Sequence, residues 1–332
     1  MNSESVRGER ESGTVSGSSS AKHPGWVGTV LERDGAAYRV AVPNGEIRAV
    51  LRGKAKRDTP KVVVGDRVQL EPEPAGEYYG IISVEPRTSL LERRVPEGRG
   101  TRPVAANIDE VFVVTATVDP APIPQLIDRL LVVAEANSIP AAVVVNKIEL
   151  DPGCELIQRC QAAGYPVFPT SAKTGQGIPE LSAALKGRTS VVTGPSGAGK
   201  SSLLNAVQPG LKLRIGEISA RVRRGKNTTV AAVMLPLDAG GFLVDTPGFS
   251  EVGLWGIEPR ELASCFPEMR PFIGLCRYAD CRHVTEPGCR IRSAAESGEI
   301  QADRLASYWA LLEELETAPR EWESGKGGTK RG

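Results

Sequence analysis

Residues 194–201 read Gly-Pro-Ser-Gly-Ala-Gly-Lys-Ser and match the phosphate-loop pattern G-x-x-x-x-G-K-[ST] at every fixed position. A Val/Thr-rich strand is predicted before this loop and a helix after it. Glycines let backbone N–H groups surround phosphates, and the N-terminus of the following helix favours an anion. We expect Lys200 to reach the β- and γ-phosphates and the Ser201 hydroxyl to ligate Mg²⁺. The strand–loop–helix context argues against a chance glycine turn.

A second loop of the same site is predicted at Asp245-Thr-Pro-Gly248, directly after a buried strand. Ligands bind at the carboxyl edge of a parallel sheet, so a carboxylate there holds Mg²⁺ and the Gly248 N–H contacts the γ-phosphate. A threonine pair between the two loops makes the combination more specific than the turn alone. The expected Mg²⁺ ligands are Ser201, Thr229 and Asp245, with Thr228 open as the alternative to Thr229. The expected catalytic residues are Lys200, Thr229, Asp245 and Gly248.

Two further loops precede the phosphate loop. Asn146-Lys-Ile-Glu149 and Ser171-Ala-Lys173 each follow a predicted strand, and they resemble the guanine-reading N-K-x-D and S-A-K loops of translation-factor-class GTPases. In most such proteins these loops come after the phosphate loop, so the order here indicates a circular permutation. The expected nucleotide-binding residues are Asn146, Lys147, Glu149, Ser171, Ala172, Lys173, Gly194, Pro195, Ser196, Gly197, Ala198, Gly199, Lys200, Ser201 and Ser202.

The sequence between residues 104 and 253 alternates predicted strands and helices. This βαβ repetition predicts an α/β fold with a parallel sheet that helices cover on both faces. Residues 25–87 instead hold five short strands broken by turn residues, a pattern that suits a five-stranded OB-fold barrel. Residues 88–103 are charged and punctuated by Gly and Pro, and we interpret them as a linker.

Four soft metal ligands follow the α/β segment, in the pattern Cys276-x4-Cys281-x-His283-x5-Cys289. Three cysteines and one histidine form a closed tetrahedral zinc set, which implies a structural rather than a catalytic ion. Reduced free cysteines are the alternative, weakened because the only other histidine is His23 in the N-terminal tail. We predict one Zn²⁺ in a helical C-terminal subdomain at residues 254–318. The remaining cysteines, predicted to be core thiols, are Cys154, Cys160 and Cys265. The predicted core stripe of the final helix is Leu305, Tyr308, Trp309, Leu312 and Leu315.

In combination these motifs resemble the ribosome small subunit-dependent GTPase A family of bacterial assembly factors, over roughly residues 25–318. Val64-Gly-Asp, Asn107-Ile-Asp and Gly225-Lys-Asn-Thr-Thr belong to the same resemblance. The resemblance implies an OB-fold barrel, a circularly permuted P-loop GTPase domain and a zinc-bearing C-terminal domain. It also implies GTP and GDP as ligands, 16S rRNA and the small ribosomal subunit as partners, and ribosome-stimulated GTP hydrolysis in late maturation of that subunit.

The chain departs from the family pattern at Glu149 and Asn227, and from many other GTPases at Phe249. Glu149 stands where the family has Asp, and its extra methylene displaces a carboxylate that pairs with guanine donors. Poorly matched donors cost ~1–3 kcal/mol, so we expect a retained but weaker guanine preference. Asn227 replaces a histidine before the threonine pair, and Phe249 stands where many GTPases carry a water-orienting glutamine. We expect slow hydrolysis by the protein alone. The alternative is an RNA-binding assembly module whose nucleotide is a regulatory, barely hydrolysed ligand.

Net charge is +1 over 332 residues, so only local clusters of charge bear on an acidic partner. The first cluster is either a solvated barrel face or an RNA-facing patch, and its members are Arg48, Arg52, Lys54, Lys56, Arg57 and Lys61. The second favours contact with rRNA phosphates, and its members are Lys212, Arg214, Arg221, Arg223, Arg224 and Lys226. With no apolar run long enough for a bilayer and no signal-like N-terminus, we expect a cytoplasmic monomer without membrane contact. We interpret residues 1–24 as a disordered tail and residues 319–332 as a flexible basic tail.

Overall fold

Five strands close into a barrel in this computed structural model, which describes residues 26–52, 60–73, 78–94, 101–211, 232–245, 254 and 257–317. They are β1 (Trp26–Asp34), β2 (Ala37–Val42), β3 (Gly45–Leu51), β4 (Arg67–Pro72) and β5 (Tyr79–Val84). Their order around the barrel is β1-β2-β3-β5-β4, and only β3 and β5 run parallel. Val30, Val40 and Ile81 are among the side chains that fill the interior. The predicted OB-like barrel is confirmed.

The segment after the barrel contains a β-hairpin. β6 (Leu90–Arg94) pairs antiparallel with β7 (Thr101–Ala106). Our interpretation of residues 88–103 as a linker therefore missed two strands. They form despite the charged sequence because Leu91 and Ala105 are buried in an apolar cluster shared with the sheet of the next domain.

Six strands form the central sheet, in the order β10-β9-β8-β11-β13-β12. They are β8 (Glu110–Ala116), β9 (Ala141–Asn146), β10 (Val167–Pro169), β11 (Thr189–Thr193), β12 (Val233–Pro236) and β13 (Phe242–Asp245). Neighbouring strands are parallel, as predicted, except that β12 runs antiparallel to β13 at one edge. β12 is an addition to the predicted wholly parallel sheet. A direct hairpin connection from β12 into β13 makes the pair antiparallel.

Helices cover both faces of this sheet. They are α1 (Pro124–Ala136), α2 (Cys154–Ala162), α3 (Ile178–Leu185) and α4 (Lys200–Val207). Side chains of α1 and α2 share an apolar cluster with Val111 and Val113, and those of α3 and α4 share another with Phe112 and Val114. This alternation along β8 is what two buried faces require.

The C-terminal part has a core of its own. It contains two 3₁₀ helices (Pro259–Cys265 and Pro267–Phe272), α5 (Arg290–Glu296) and α6 (Ala302–Thr317). Phe266, Met269 and Tyr308 lie at its centre, and Val132 of α1 joins the same cluster. In the described ranges, no helix has both the length and the apolar content needed to cross a bilayer.

Two predicted core positions are wrong. Cys154 is exposed, because it is the first residue of α2 and lies on the outer side of that turn, whereas Cys160 and Cys265 are buried as predicted. Trp309 is 37% exposed, and its indole N–H donates to the carbonyl oxygen of His283 at 2.8 Å. Trp309 therefore lies at the surface, bonded to the backbone of the segment that carries the cysteines, instead of packing in the core.

A buried ionic cluster joins the C-terminal part to the sheet domain. Asp128 of α1 accepts two hydrogen bonds from Arg159 of α2, at 2.9 and 2.6 Å, and one from Arg304 of α6 at 2.6 Å. Arg304 also donates to Glu268 at 2.6 Å. All four side chains are at most 10% exposed, so each charge depends on its partners for stabilisation.

Candidate nucleotide site and cysteine cluster

The carboxyl ends of β9, β10 and β11 carry the three predicted loops of the site. β9 ends at Asn146, β10 leads through Thr170 into Ser171, and β11 ends at Thr193 directly before Gly194. The parallel strands bring these ends to one edge of the sheet, the edge at which α/β proteins bind ligands. The structure therefore brings the three loops together although two of them precede the phosphate loop in the chain.

The phosphate loop needs its glycines. Gly194 and Gly199 have φ values of +139° and +89°, which residues other than glycine rarely adopt. A Cβ at Gly194 would lie 2.0 Å from the carbonyl oxygen of Val114 in β8. The Lys200 ammonium donates to the carbonyl oxygens of Gly194 and Pro195 at 2.7 and 2.8 Å, inside the loop itself. Burial lowers the pKa of Lys200.

Asn146 connects all three loops. Its Nδ2 donates to the carbonyl oxygen of Ala198 in the phosphate loop at 3.0 Å, and its Oδ1 accepts from the backbone N–H of Ala172 at 3.2 Å. The side chain is almost completely buried, so both bonds replace water. A Cβ at Gly199 would lie 2.3 Å from the same Nδ2. The loop that begins at Asn146 and the phosphate loop are thus in contact.

The loop after β8 also belongs to this edge, which the sequence motifs did not indicate. Lys147 has a φ of +67°, and its ammonium donates to the carbonyl oxygen of Asp119. The hydroxyl of Thr117 donates to the carbonyl oxygen of Lys147 at 3.0 Å. A Cβ at Gly197 would lie 3.1 Å from Pro120. The signal available in the sequence was only that this loop follows a buried strand.

Glu149 offers an acceptor at the base loop. A hydrogen bond from the Ser171 hydroxyl holds the pKa of the Glu149 carboxyl below its ordinary value, and the charges of Lys173 and Lys147 act in the same direction. The other oxygen, Oε2, is buried and has no hydrogen-bond partner among the described residues. A carboxylate oxygen without a partner is uncommon in such a place, and a donor from a ligand is one way to satisfy it.

Some of the remaining predicted site residues lie within the described ranges and others lie outside them. Ser201 and Ser202 are exposed at the N-terminus of α4, and Ser196 is exposed in the phosphate loop. Asp245 ends β13 opposite Val233 of β12. The residues outside the described ranges are Asn227, Thr228, Thr229, Gly248 and Phe249.

Much of the two predicted basic clusters also lies outside the described ranges: Lys54, Lys56, Arg57, Lys212, Arg214, Arg221, Arg223, Arg224 and Lys226. Within the barrel cluster, Arg48 pairs with Asp34 at 2.8 Å. Arg52 pairs with Glu71 at 2.7 Å and Glu73 at 2.8 Å. For these two arginines the structure favours the solvated-face interpretation, because acidic partners neutralise their charge.

The four predicted zinc ligands converge in the C-terminal part. One ligand atom from each of Cys276, Cys281, His283 and Cys289 lies within 4.8 Å of every other. Nδ1 of His283 is 3.5 Å from Sγ of Cys276 and 3.4 Å from that of Cys289, and those two sulfurs are 4.0 Å apart. In a tetrahedral zinc site with Zn–S of about 2.3 Å and Zn–N of about 2.0 Å, the nitrogen lies about 3.5 Å from each sulfur, and two sulfurs lie about 3.8 Å apart.

The surroundings of the cluster also fit a cation. Burial raises the pKa of the Cys281 thiol to about 12, and a bound cation is what favours the thiolate in such a place. Backbone N–H groups of Arg290 and Arg292 point at the sulfurs of Cys276 and Cys289, at 3.4 and 3.5 Å. Thiolates of structural metal sites accept such bonds. These four residues could hold one metal ion with no open coordination position.

Comparisons with known proteins give the family. Residues 84–255, more than half of the chain, match the model of the RsgA GTPase family. The small ribosomal subunit biogenesis GTPase RsgA of Gemmatimonas aurantiaca is 46% identical over 297 residues, covering 87% of this chain and 97% of that relative. The protein of the same name from Moorella thermoacetica is 42% identical over 291 residues, with the same two shares.

Solved structures agree with this match. YjeQ from Thermotoga maritima superposes with a TM-score of 0.73 at 36% identity, covering 89% of this chain and 99% of that one. YloQ, described as a circularly permuted GTPase, superposes with a TM-score of 0.72 at 27% identity, covering 90% and 97%. The chain belongs to the RsgA GTPase family.

Proposed function

We propose that this GTPase acts in the maturation of the small ribosomal subunit and hydrolyses GTP when that subunit stimulates it. The names of the relatives from Gemmatimonas aurantiaca and Moorella thermoacetica support the process, since each aligns over 97% of its length. The observation that carries the proposal is the hydrogen bond between Asn146 and Ala198. It joins the loop proposed to read the base to the phosphate loop, an arrangement that lets one nucleotide contact both loops.

Each loop has a distinct task in this proposal. Backbone N–H groups of residues 194–202, Pro195 excepted, bind the phosphates, and the Lys200 ammonium exchanges its two loop carbonyls for phosphate oxygens. Glu149, oriented by Ser171, accepts from the guanine ring edge, while Asn146, Lys147, Ala172 and Lys173 shape the base pocket. Mg²⁺, when bound, neutralises charge that develops on the phosphates. Ser201 and Asp245 would hold it together with Thr229, and the N–H of Gly248 would contact the γ-phosphate.

The cysteine cluster is proposed to hold one structural Zn²⁺. Its three sulfurs and one imidazole nitrogen are spaced for a tetrahedral ion, and a closed set of four leaves no position for a substrate. The ion would tie residues 276–289 together beside the C-terminal core, against which Cys276 and Cys281 pack. The proposed setting is a cytoplasmic monomer whose partners are the small ribosomal subunit and its 16S rRNA.

The decisive experiment measures GTP turnover with and without purified small ribosomal subunits. We expect slow turnover by the protein alone and a large increase with the subunit. Lys200→Ala is expected to weaken nucleotide binding. Lys186 is an exposed lysine outside the site, so Lys186→Ala is expected to leave turnover unchanged. Subunit binding that depends on GTP but gives no increase in turnover would favour the alternative, in which the nucleotide is only a regulatory ligand.

A further inference from the structure

The first barrel strand contains a β-bulge at Leu31. In the pairing of β1 with β2, Val30 lies opposite Val40 and Glu32 lies opposite Arg39, which leaves Leu31 as the extra residue. A bulge breaks the alternation of a strand and turns the extra side chain to another direction. Val30 accordingly packs in the barrel core, whereas Leu31 is completely buried in a different cluster outside the barrel.

That outer cluster belongs to the sheet of the GTPase domain. Leu31 shares it with Met234 of β12 and Val244 of β13, and β1 lies against β12. Met234 and Val244 are opposite each other in the antiparallel ladder of β12 and β13. The barrel is therefore packed on the antiparallel edge of the sheet.

β12 and β13 adjoin the two segments that are expected to respond to the γ-phosphate, namely the threonine pair and the loop that begins at Asp245. Val233 begins β12, a few residues after the threonine pair, and it lies opposite Asp245 at the end of β13. This pair is one residue away from Met234 and Val244, which share the cluster with Leu31. A shift of β1 would therefore move a pair of residues that flanks the catalytic machinery. Misplacement by about 1 Å is enough to change a reaction rate by orders of magnitude.

The barrel is attached firmly enough to transmit such a shift. Nδ2 of Asn107 donates to the carbonyl oxygen of Gly65 at 2.9 Å, and its Oδ1 accepts from the backbone N–H of Thr88 at 2.8 Å. The N–H of Ala106 donates to the carbonyl oxygen of Val64 at 2.8 Å. A Cβ at Gly65 would lie 2.0 Å from the carbonyl oxygen of Ala106, so the two backbones are in direct contact. Barrel and sheet domain are thus hydrogen-bonded at the junction.

We propose that Leu31 is a positioning residue: through it, contact of the barrel with the small ribosomal subunit sets the geometry of the strands that end at Asp245 and begin after Thr229. This inference rests on the proposed function and assigns the path of stimulation to a side chain outside the nucleotide site. A residue with this role changes the maximal stimulated rate. It leaves nucleotide affinity and subunit affinity unchanged, because it contacts neither ligand.

The test titrates small subunits against Leu31→Ala and the unchanged protein, and records GTP turnover at each concentration. We expect the maximal stimulated rate to fall about tenfold, within the range of ordinary coupling between sites. The half-maximal subunit concentration, the turnover without subunits and the affinity for GDP should stay within about twofold. Leu31→Met, which keeps the volume of the side chain, should restore most of the rate. Thermal unfolding of each variant reports whether it is folded.

Leu70→Ala is the matched control, because Leu70 is equally buried in the same barrel but packs in the barrel core. It removes as much buried side chain but should leave the maximal stimulated rate unchanged. An equal fall of the maximal rate in both variants, or an unchanged maximal rate in Leu31→Ala, would overturn the proposal and leave Leu31 as a packing residue. If Leu31→Ala fails to fold, the same comparison with Leu31→Val decides. Absence of stimulation in the unchanged protein would instead refute the proposed function.

Discussion

Nδ2 of Asn146 donates a 3.0 Å hydrogen bond to the carbonyl oxygen of Ala198, a residue 52 positions later in the chain. In a GTPase without permutation the phosphate loop comes first, yet the contact itself requires only that two strand ends meet. β9 and β11 flank β8 in the sheet and run parallel to it, so their carboxyl ends meet in either chain order. The permutation changes the connections between strands and preserves the site.

Asn146→Ala should weaken nucleotide binding. The substitution leaves the Ala198 carbonyl and the Ala172 N–H without their protein partner, which costs about 1–3 kcal/mol in a buried place. The affinity for GDP should therefore fall about 5- to 150-fold, as measured by calorimetric titration. Asn137→Ala is the control, because Asn137 caps α1 far from the site. Unchanged affinity in Asn146→Ala would show that the loops keep their positions without this bond.

Glu149 should determine how strongly guanine is preferred. Competition by ATP should be weaker than competition by GTP in the unchanged protein, and Glu149→Ala should reduce the difference by about 5- to 150-fold. Glu149→Asp should increase the preference, because it removes the extra methylene. Since Ser171 and the two lysines hold the pKa of Glu149 low, the preference should be constant between about pH 5 and pH 8.

The control for this site is Glu155→Ala, an exposed carboxylate near the start of α2 at the same edge of the sheet. It should leave both competitions unchanged. ATP competing as effectively as GTP with the unchanged protein would contradict the assignment of Glu149 to the base.

Regular periodicity explains which elements were predictable from the sequence. β8 and β9 are continuous apolar runs because helices cover both of their faces, and such runs are visible in the sequence. The β6–β7 hairpin is different, since its stability comes from Leu91 and Ala105 packing at a junction that only the tertiary structure defines. The bulge at Leu31 was hidden for the same reason. Its outward direction is a property of the pairing of β1 with β2.

The same contrast between local sequence pattern and tertiary contact applies to the site. The phosphate loop and the zinc ligands could be named from spacing, because local chemistry requires those residues at those intervals. Asp119 and Pro120 could not, since they contribute a carbonyl and a surface contact instead of a distinctive side chain. The exposure of Cys154 depends on which side of α2 faces the sheet, and a single residue at a helix start carries no such information.

Cys281→Ser should separate the zinc site from the nucleotide site. Loss of one of four ligands should abolish stoichiometric zinc, measured by elemental analysis, and loosen the C-terminal core around Tyr308. Because the chain runs from Asp245 directly into this part, we expect most stimulation by the small subunit to disappear while nucleotide affinity stays nearly intact. Cys154→Ser is the control, as Cys154 is exposed and outside the cluster. Normal stimulated turnover in Cys281→Ser would make the zinc part a passive anchor.

Asp128→Asn should destabilise the junction of α1, α2 and α6. Burial alone raises the pKa of Asp128, but the hydrogen bond and charge of Arg159 and the charge of Arg304 outweigh it and hold the pKa below the ordinary value. Removing this charge leaves two arginines in the interior with less compensation. The free energy of unfolding at neutral pH should fall by about 3–5 kcal/mol. Asp303→Asn removes a half-exposed partner of the same Arg159 and should cost less than about 1 kcal/mol.

The loss of stability in Asp128→Asn should depend on pH if the charge of Asp128 causes it. A carboxyl whose pKa is lower in the folded state than its unfolded value of about 3.9 stabilises the fold fully above that value. The contribution is lost as the pH falls through the folded pKa, because the folded state then takes up the proton that the unfolded state already holds. The difference in unfolding free energy between the unchanged protein and Asp128→Asn should therefore be constant above about pH 5 and shrink below about pH 4. Denaturant titrations at several pH values measure it, and a difference that persists unchanged at low pH would mean that the shape of the asparagine, rather than the lost charge, causes the destabilisation.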